Sequence, residues 1–230
     1  HRVNVPRSTG IIQWMLNSAW PSLYWQLYDW YMVPVSSYWS VKKGCMPQQL
    51  IYNYADDKVY AVNDEKEDKD LVAKMTVYGI DGKVLSDASC YVDMTMGCSK
   101  PLFDVTSIIS DKSPVYFVFL RLEDKKGNIV SHNEYCLSEI KDKHDWSKYR
   151  WWRTQMESYG DFSALNSIKE ADVTVSHSIK DNAVTVGMTN SSDAVAFFIS
   201  LKIKDSEGEI IVPGFWDDNL VSIAPGQEVT

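Results

Sequence analysis

Few residues of this chain have types and spacings suited to chemistry. The cysteines Cys45, Cys90, Cys98 and Cys136 include no C-x-x-C pair, which argues against zinc and thioredoxin-like sites. Cys90 and Cys98 could bridge in an oxidising compartment; buried free thiols are the plainer expectation. His132, His144 and His177 are not spaced as metal ligands, so solvated rings are expected and no metal or cofactor is. The run from Asp64 to Asp70 mixes signs and reads as a solvated loop rather than a calcium site. Asn190-Ser-Ser192 fits a glycosylation acceptor, and Asn166-Ser-Ile168 misses one. The aromatic residues are the uneven feature. Five of the nine tryptophans, Trp14, Trp20, Trp25, Trp30 and Trp39, precede Pro47, and Tyr24, Tyr28, Tyr31 and Tyr38 join them.

These residues must be carried by a fold, and the bulk numbers bound it. The 230 residues suit one to two domains and contain no apolar run long enough to span a bilayer. A net charge of −8, with both signs mixed along the chain, argues against nucleic acid and against anionic membranes as partners. It says little about a sugar. The residues from His1 onward show no apolar h-region and no small-residue cleavage site of a signal peptide. A start on His-Arg-Val-Asn suggests a piece of something longer, and a secreted or periplasmic setting is the expectation.

Residues 10–16 form an apolar run of strand length that suits a buried parallel strand. Residues 34–43, with serines near the start, Lys42 and Lys43 at the end and Gly44 beyond, carry helix punctuation. From Leu50 onward the signals are β. Residues 58–63 alternate, and 71–80 run into Asp81-Gly82 and then 83–85, a hairpin pattern. Residues 115–122, a Lys-Lys-Gly turn and Ile129-Val130 repeat it. Strand spacing of this kind predicts an antiparallel immunoglobulin-like sandwich over residues 48–137, its core including Val59, Ala61, Val77, Phe117, Phe119 and Leu122. Residues 138–169 read as an aromatic-rich linker pinned onto its neighbours, with Asp161 capping a short helix. Strands resume at Ala171. Asp57 and Asp81 recur, at the same separation, as Asp181 and Asp205, a weak internal repeat that supports a second sandwich over residues 170–230. Such sandwiches take ~100 residues, so the second is expected to be incomplete and the polypeptide to continue, or to end in disorder.

The opening segment also carries a resemblance. Trp14, Met15, Leu16, Asn17, Trp20, Pro21, Ser22, Trp25, Leu27, Tyr28 and Asp29 resemble the last barrel strand and its loop in family 2 glycoside hydrolases. The subgroup is that of the exo-β-D-glucosaminidases and the endo-β-mannosidases acting on glycoprotein glycans. Residues 159–166 and 215–227 resemble the same subgroup. The resemblance implies that residues 1–47 are the last βα unit of a (β/α)8 barrel of ~250 residues. The fold class expected is therefore mainly β: two immunoglobulin-like β-sandwiches preceded by that unit.

The resemblance further implies a retaining β-glycosidase whose two carboxylates lie upstream of His1. The chain alone would then hold no catalytic carboxylate and turn over no substrate. What remains is a sugar-holding edge. The Trp14 indole face suits the C–H face of a pyranose, Asn17 offers a donor and an acceptor to hydroxyls, and Trp20 or Trp25 extends the surface. Barrel packing is the competing role for these tryptophans, and Asp29 is expected to anchor the loop. The expected partners are a β-linked oligo- or polysaccharide ending in glucosamine or mannose, and the upstream barrel of the same polypeptide. Without that barrel, residues 10–31 would expose an apolar patch through which isolated chains associate. The alternatives are a non-catalytic immunoglobulin-like carbohydrate-binding or interaction module, and a structural spacer. A barrel remnant has no place in either.

Overall fold

The computed structural model describes residues 1–22, 25–108, 113–212 and 214–230; Tyr24, one of the clustered aromatics, lies outside them. A helix α1 (Ser36–Gly44) leads into the first sandwich. One sheet of that sandwich pairs β1 (Gln48–Asn53), β2 (Lys58–Asn63) and β5 (Cys98–Asp104) in that order. The other has the order β4-β3-β6-β7, built from β3 (Asp68–Gly79), β4 (Val84–Met94), β6 (Val115–Glu123) and β7 (Ile129–Ser138). A single turn of helix, α2 (Val105–Ile108), follows β5. A hairpin of β8 (Lys143–Arg150) and β9 (Arg153–Ser158) comes next. The second sandwich joins β10 (Val173–Lys180), β11 (Ala183–Asn190) and β14 (Glu228–Val229) in one sheet. Its other sheet pairs β12 (Ala196–Ile199) with β13 (Val221–Ile223).

The first core lies between the two sheets. Val59 and Ala61 from β2 meet Leu71, Ala73, Met75 and Val77 from β3 and Tyr116, Val118, Leu120 and Leu122 from β6. Side chains alternate along a strand, so Phe117 and Phe119 cannot share the face of Leu122. The expected core is corrected at these two positions. Phe117 and Phe119 point to the opposite face and pack with Tyr78, Val195, Ala224, Leu165 and Ile168. The unbroken apolar run of β6 thus has a tertiary cause: its sheet is covered by its own partner sheet on one side and by the second sandwich on the other.

The expected parallel strand over residues 10–16 does not form, and the expected barrel unit is not found among the described residues; of α-helices and strands, only α1 precedes the first sandwich. Ile12 is 91% exposed and Trp14 73%. A parallel strand needs neighbours to complete its ladder, and the described sheets begin only at Gln48. The segment 138–169 also differs from the expected linker. Residues 143–158 make the β8–β9 hairpin, with Trp146, Trp151 and Trp152 turned to solvent. Its flanks are pinned by both kinds of contact: Leu165 and Ile168 pack into the cluster around Phe117, and the Ser138 hydroxyl donates to the Asp161 carbonyl (2.8 Å) and accepts from the Asp161 amide (3.1 Å). Asp161 is not the N-cap expected of it: that position falls to Phe162, while the Asp161 carboxylate accepts from the Ser163 amide at 2.9 Å one residue ahead of the 3-10 turn (Ser163–Ser167).

Two of the turn signals acquire a tertiary meaning. Gly82 has a φ of +80°, which favours glycine. A Cβ there would also overlap the Asp193 carbonyl of the second sandwich. The Asp-Gly turn therefore serves both as a hairpin and as a seat. Around Asp205 the expected hairpin shrinks to one bridge, Lys204 to Ile210, closed by Asp205–Glu209 and Ile203–Ile211 bonds.

Leu120→Ala is expected to destabilise the first sandwich by about 2–5 kcal/mol through loss of burial plus a cavity. Phe119→Ala, on the half-covered outer face, should cost distinctly less and loosen the second sandwich first. Denaturant melts followed by far-UV dichroism check the order; equal losses would mean that the alternation has been misassigned.

Candidate functional site: an aromatic loop and the joint behind it

The loop before α1 is held by few bonds. The Leu16 carbonyl accepts from the amides of Leu27 (3.0 Å) and Tyr28 (2.9 Å), and the Val35 amide donates to the Leu27 carbonyl (3.1 Å). The Trp25 indole N–H donates to the Trp14 carbonyl at 2.6 Å. The peptide bond after Trp14 is cis. Two polar side chains of the loop are buried, Ser18 and Gln26, and the Ser18 hydroxyl donates to Gln26 Oε1 at 3.1 Å. The Asp29 carboxylate accepts from the Val33 amide at 2.9 Å, the anchoring role expected for it.

These bonds tie Trp14 to Trp25 and place Asn17 beside Tyr28 through an isolated bridge. Trp14 and Trp20 keep their rings in solvent, at 73% and 68% exposure, and Asn17 is exposed. Asn17 spends one amide proton on the neighbouring Ser18 carbonyl (3.2 Å). Exposed indoles beside an amide offer apolar faces and directional hydrogen bonding together.

Behind the loop, α1 is fastened to both sandwiches by charge. Lys43 Nζ lies 2.7 Å from Glu134 on β7 and 3.2 Å from Asp218 in the second sandwich. His132 closes the group, 2.5 Å from Glu134 and 3.4 Å from Asp218. Lys42 Nζ donates to the Trp216 carbonyl (2.9 Å) and the Asp217 carbonyl (2.6 Å). His132 is therefore a bridge between carboxylates, not the merely solvated ring its spacing suggested. The signal for this cluster was faint: Lys42 and Lys43 read as helix-end cations, and the partners lie far off in sequence. A cleft of about 160 Å³ opens beside it, lined by Trp39, Phe117, Phe119, Phe197 and Phe198 among others.

Burial pushes the Glu134 carboxyl up, but the His132 hydrogen bond and the Lys43 charge outweigh it and hold the group below the ordinary glutamate range. Burial pulls the Lys43 ammonium down, and the charges of Glu134 and Asp218 more than reverse this. Glu134 is thus ionised at neutral pH and has no proton to give a leaving group. The thiols of Cys90, Cys98 and Cys136 are pushed up by burial, Cys136 to about 11, so all three stay protonated near neutrality.

Two sandwiches joined in this way define a pair of immunoglobulin-like domains, and comparison with known proteins gives the family. Residues 57–142 match the mannosidase Ig/CBM-like domain, and residues 151–230 match the exo-β-D-glucosaminidase Ig-fold domain. The exo-β-D-glucosaminidase of Arthroderma benhamiae is 35% identical over 226 residues, covering 96% of this chain and 25% of its own length. That of Streptomyces avermitilis is 33% identical, covering 97% and 26%. The crystal structure of the Amycolatopsis orientalis exo-chitosanase CsxA superposes with a TM-score of 0.86 at 30% identity, over 94% of this chain and 26% of that one. A β-D-mannosidase from Dictyoglomus thermophilum, at 20% identity and a TM-score of 0.67, shares the fold. The chain belongs to the Ig-fold domains of the exo-β-D-glucosaminidase and mannosidase family, glycoside hydrolase family 2. It spans about a quarter of the length of the curated relatives it matches.

The charge cluster should make stability depend on pH at both ends. The depressed Glu134 contributes stability that is present above the ordinary glutamate pKa and is lost as pH falls through the folded value. The raised Lys43 contributes stability that is present below the ordinary lysine pKa and is lost as pH rises through its folded value. Lys43→Met leaves two carboxylates without their cation and is expected to cost about 3–5 kcal/mol. Urea midpoints measured from pH 3 to about pH 12 check both limbs. Glu134→Gln should flatten the acid limb, and an unchanged limb would remove Glu134 from the account.

Proposed function

We propose that this chain is the accessory portion of a retaining β-glycosidase that releases β-linked glucosamine from the ends of oligo- and polysaccharides. Its aromatic loop forms one edge of the sugar pocket. Trp14 supplies an indole face to the pyranose ring, Asn17 hydrogen-bonds a hydroxyl, and Trp20 extends the apolar surface. The observation that carries this reading is the exposure of Trp14 and Trp20 beside Asn17, in a chain whose relatives over nearly its whole length are named exo-β-D-glucosaminidase.

A retaining hydrolase needs an acid/base and a nucleophile ~5–5.5 Å apart. On this reading both come from barrel strands outside the chain, and the apolar side chains of Ile11, Ile12 and Met15 rest against that barrel. A glucosaminide is favoured over a mannoside, because the likeness to a mannosidase structure is one of fold at 20% identity. The groups that separate an amine from a hydroxyl at C2 then also lie in the barrel.

The purified chain is expected to release no nitrophenol from an aryl β-glucosaminide. Turnover that is lost on mutating a residue of this chain would overturn its accessory role. Glucosamine oligomers are expected to perturb tryptophan fluorescence. Trp14→Ala should weaken binding roughly tenfold, about 1.4 kcal/mol, and Trp151→Ala on the distant hairpin should leave it unchanged. Equal binding by the parent and Trp14→Ala would sink the assignment of the loop.

A further inference from the structure

We propose that Lys43 is a positioning residue for the sugar-holding loop: through helix α1 it ties the seat of the second sandwich to the backbone that carries Trp14 and Asn17. The proposal rests on reading that loop as a sugar edge, and its geometry can be tested apart from that reading.

The loop hangs between two anchors. On the upstream side, Arg2 bonds the Pro47 carbonyl (2.6 Å) and pairs with Asp64 (2.9 Å), and the Ser99 hydroxyl holds the Val3 carbonyl at 2.9 Å. On the downstream side stands α1. From its first turn the Ser37 hydroxyl donates to the Gln26 carbonyl. The Gln26 side chain accepts from buried Ser18, next to Asn17. The Tyr38 ring meets Tyr28 at 5.2 Å, and the Tyr28 amide holds the Leu16 carbonyl. Trp25, beside Gln26, bonds the Trp14 carbonyl. On this side the loop is therefore oriented by the first turn of one short helix.

What orients the helix is its other end. Nine helical residues make a rod of about 13 Å, so turning its last turn moves its first. Trp39 buries the middle of the rod, and Lys43 holds its end between β7 and the 214–220 segment. Asp218 is the second sandwich's hold on Lys43, beside the Trp216 and Asp217 carbonyls that hold Lys42. The second sandwich is thus coupled to the loop through α1.

Amide exchange on the full 230-residue chain tests this. In Lys43→Met the exchange of the hydrogen-bonded amides of Leu27, Tyr28 and Val35 should accelerate about tenfold more than that of the β3 and β6 amides, which report the global loss of stability. Lys43→Arg should restore the parent rates. If Lys43→Met also loosens the core strands, Asp218→Asn decides, since it leaves the Lys43–Glu134 pair in place; it should speed the same three amides by a smaller factor. Unchanged rates for these amides in Asp218→Asn, with the 214–220 segment freed, would overturn the proposal. Dissociation constants for glucosamine oligomers should rise in the same order across the variants. A parent chain that binds no oligomer would refute the sugar edge, while the exchange rates would still judge the positioning role.

Discussion

The structure depends on one sheet being buried on both faces. Strand β6 sends Tyr116, Val118, Leu120 and Leu122 into its own sandwich and Phe117 and Phe119 toward the second. Each large apolar side chain removed from water contributes ~1.5–3 kcal/mol. Exposing the outer face would leave an aromatic patch of the kind monomers rarely tolerate. The two sandwiches are therefore not beads on a linker. The second is the cover of the first, and the Gly82 turn against Asp193 and the Arg121–Gln227 hydrogen bond (3.2 Å) hold that cover in register.

The charge cluster at the edge of this interface works differently. Removing an ammonium and two carboxylates from water costs several kcal/mol per ion, and their mutual attraction offsets much of it. Such a group adds little net stability compared with apolar packing. It adds discrimination, because any other seating of α1 strands a charge. That suits an element whose task is orientation. The two flanking cations, Lys42 on carbonyls and Lys43 on carboxylates, also lie at the end of the helix where its dipole favours positive charge.

The aromatic loop shows the reverse economy. Its rings are exposed and its backbone is held by a handful of bonds, so it contributes little to folding the two sandwiches. Sites of binding sit on such segments because a rigid scaffold can hold what packing alone would not. The β8–β9 hairpin exposes tryptophans too, and its second strand falls within the residues that match the exo-β-D-glucosaminidase Ig-fold domain.

Much of this was legible in the residues. Alternation over residues 58–63, the Asp81-Gly82 turn and the spacing of short β runs determined a mainly β, immunoglobulin-like chain, because side-chain period and turn chemistry are local properties. The tryptophan-rich motif carried the family resemblance, which the relatives bear out over nearly the whole chain. Helix α1 was legible from its punctuation. Tertiary structure alone decided the rest. An unbroken run such as β6 marks burial without saying by what, so which face Phe117 and Phe119 take depends on a module 80 residues away in sequence. Residues 10–16 have the composition of a strand, yet a strand exists only where neighbours accept its hydrogen bonds. Lys43, Glu134 and Asp218 carry no pattern that links them, because a buried ion cluster is defined by convergence in space and not by spacing along the chain.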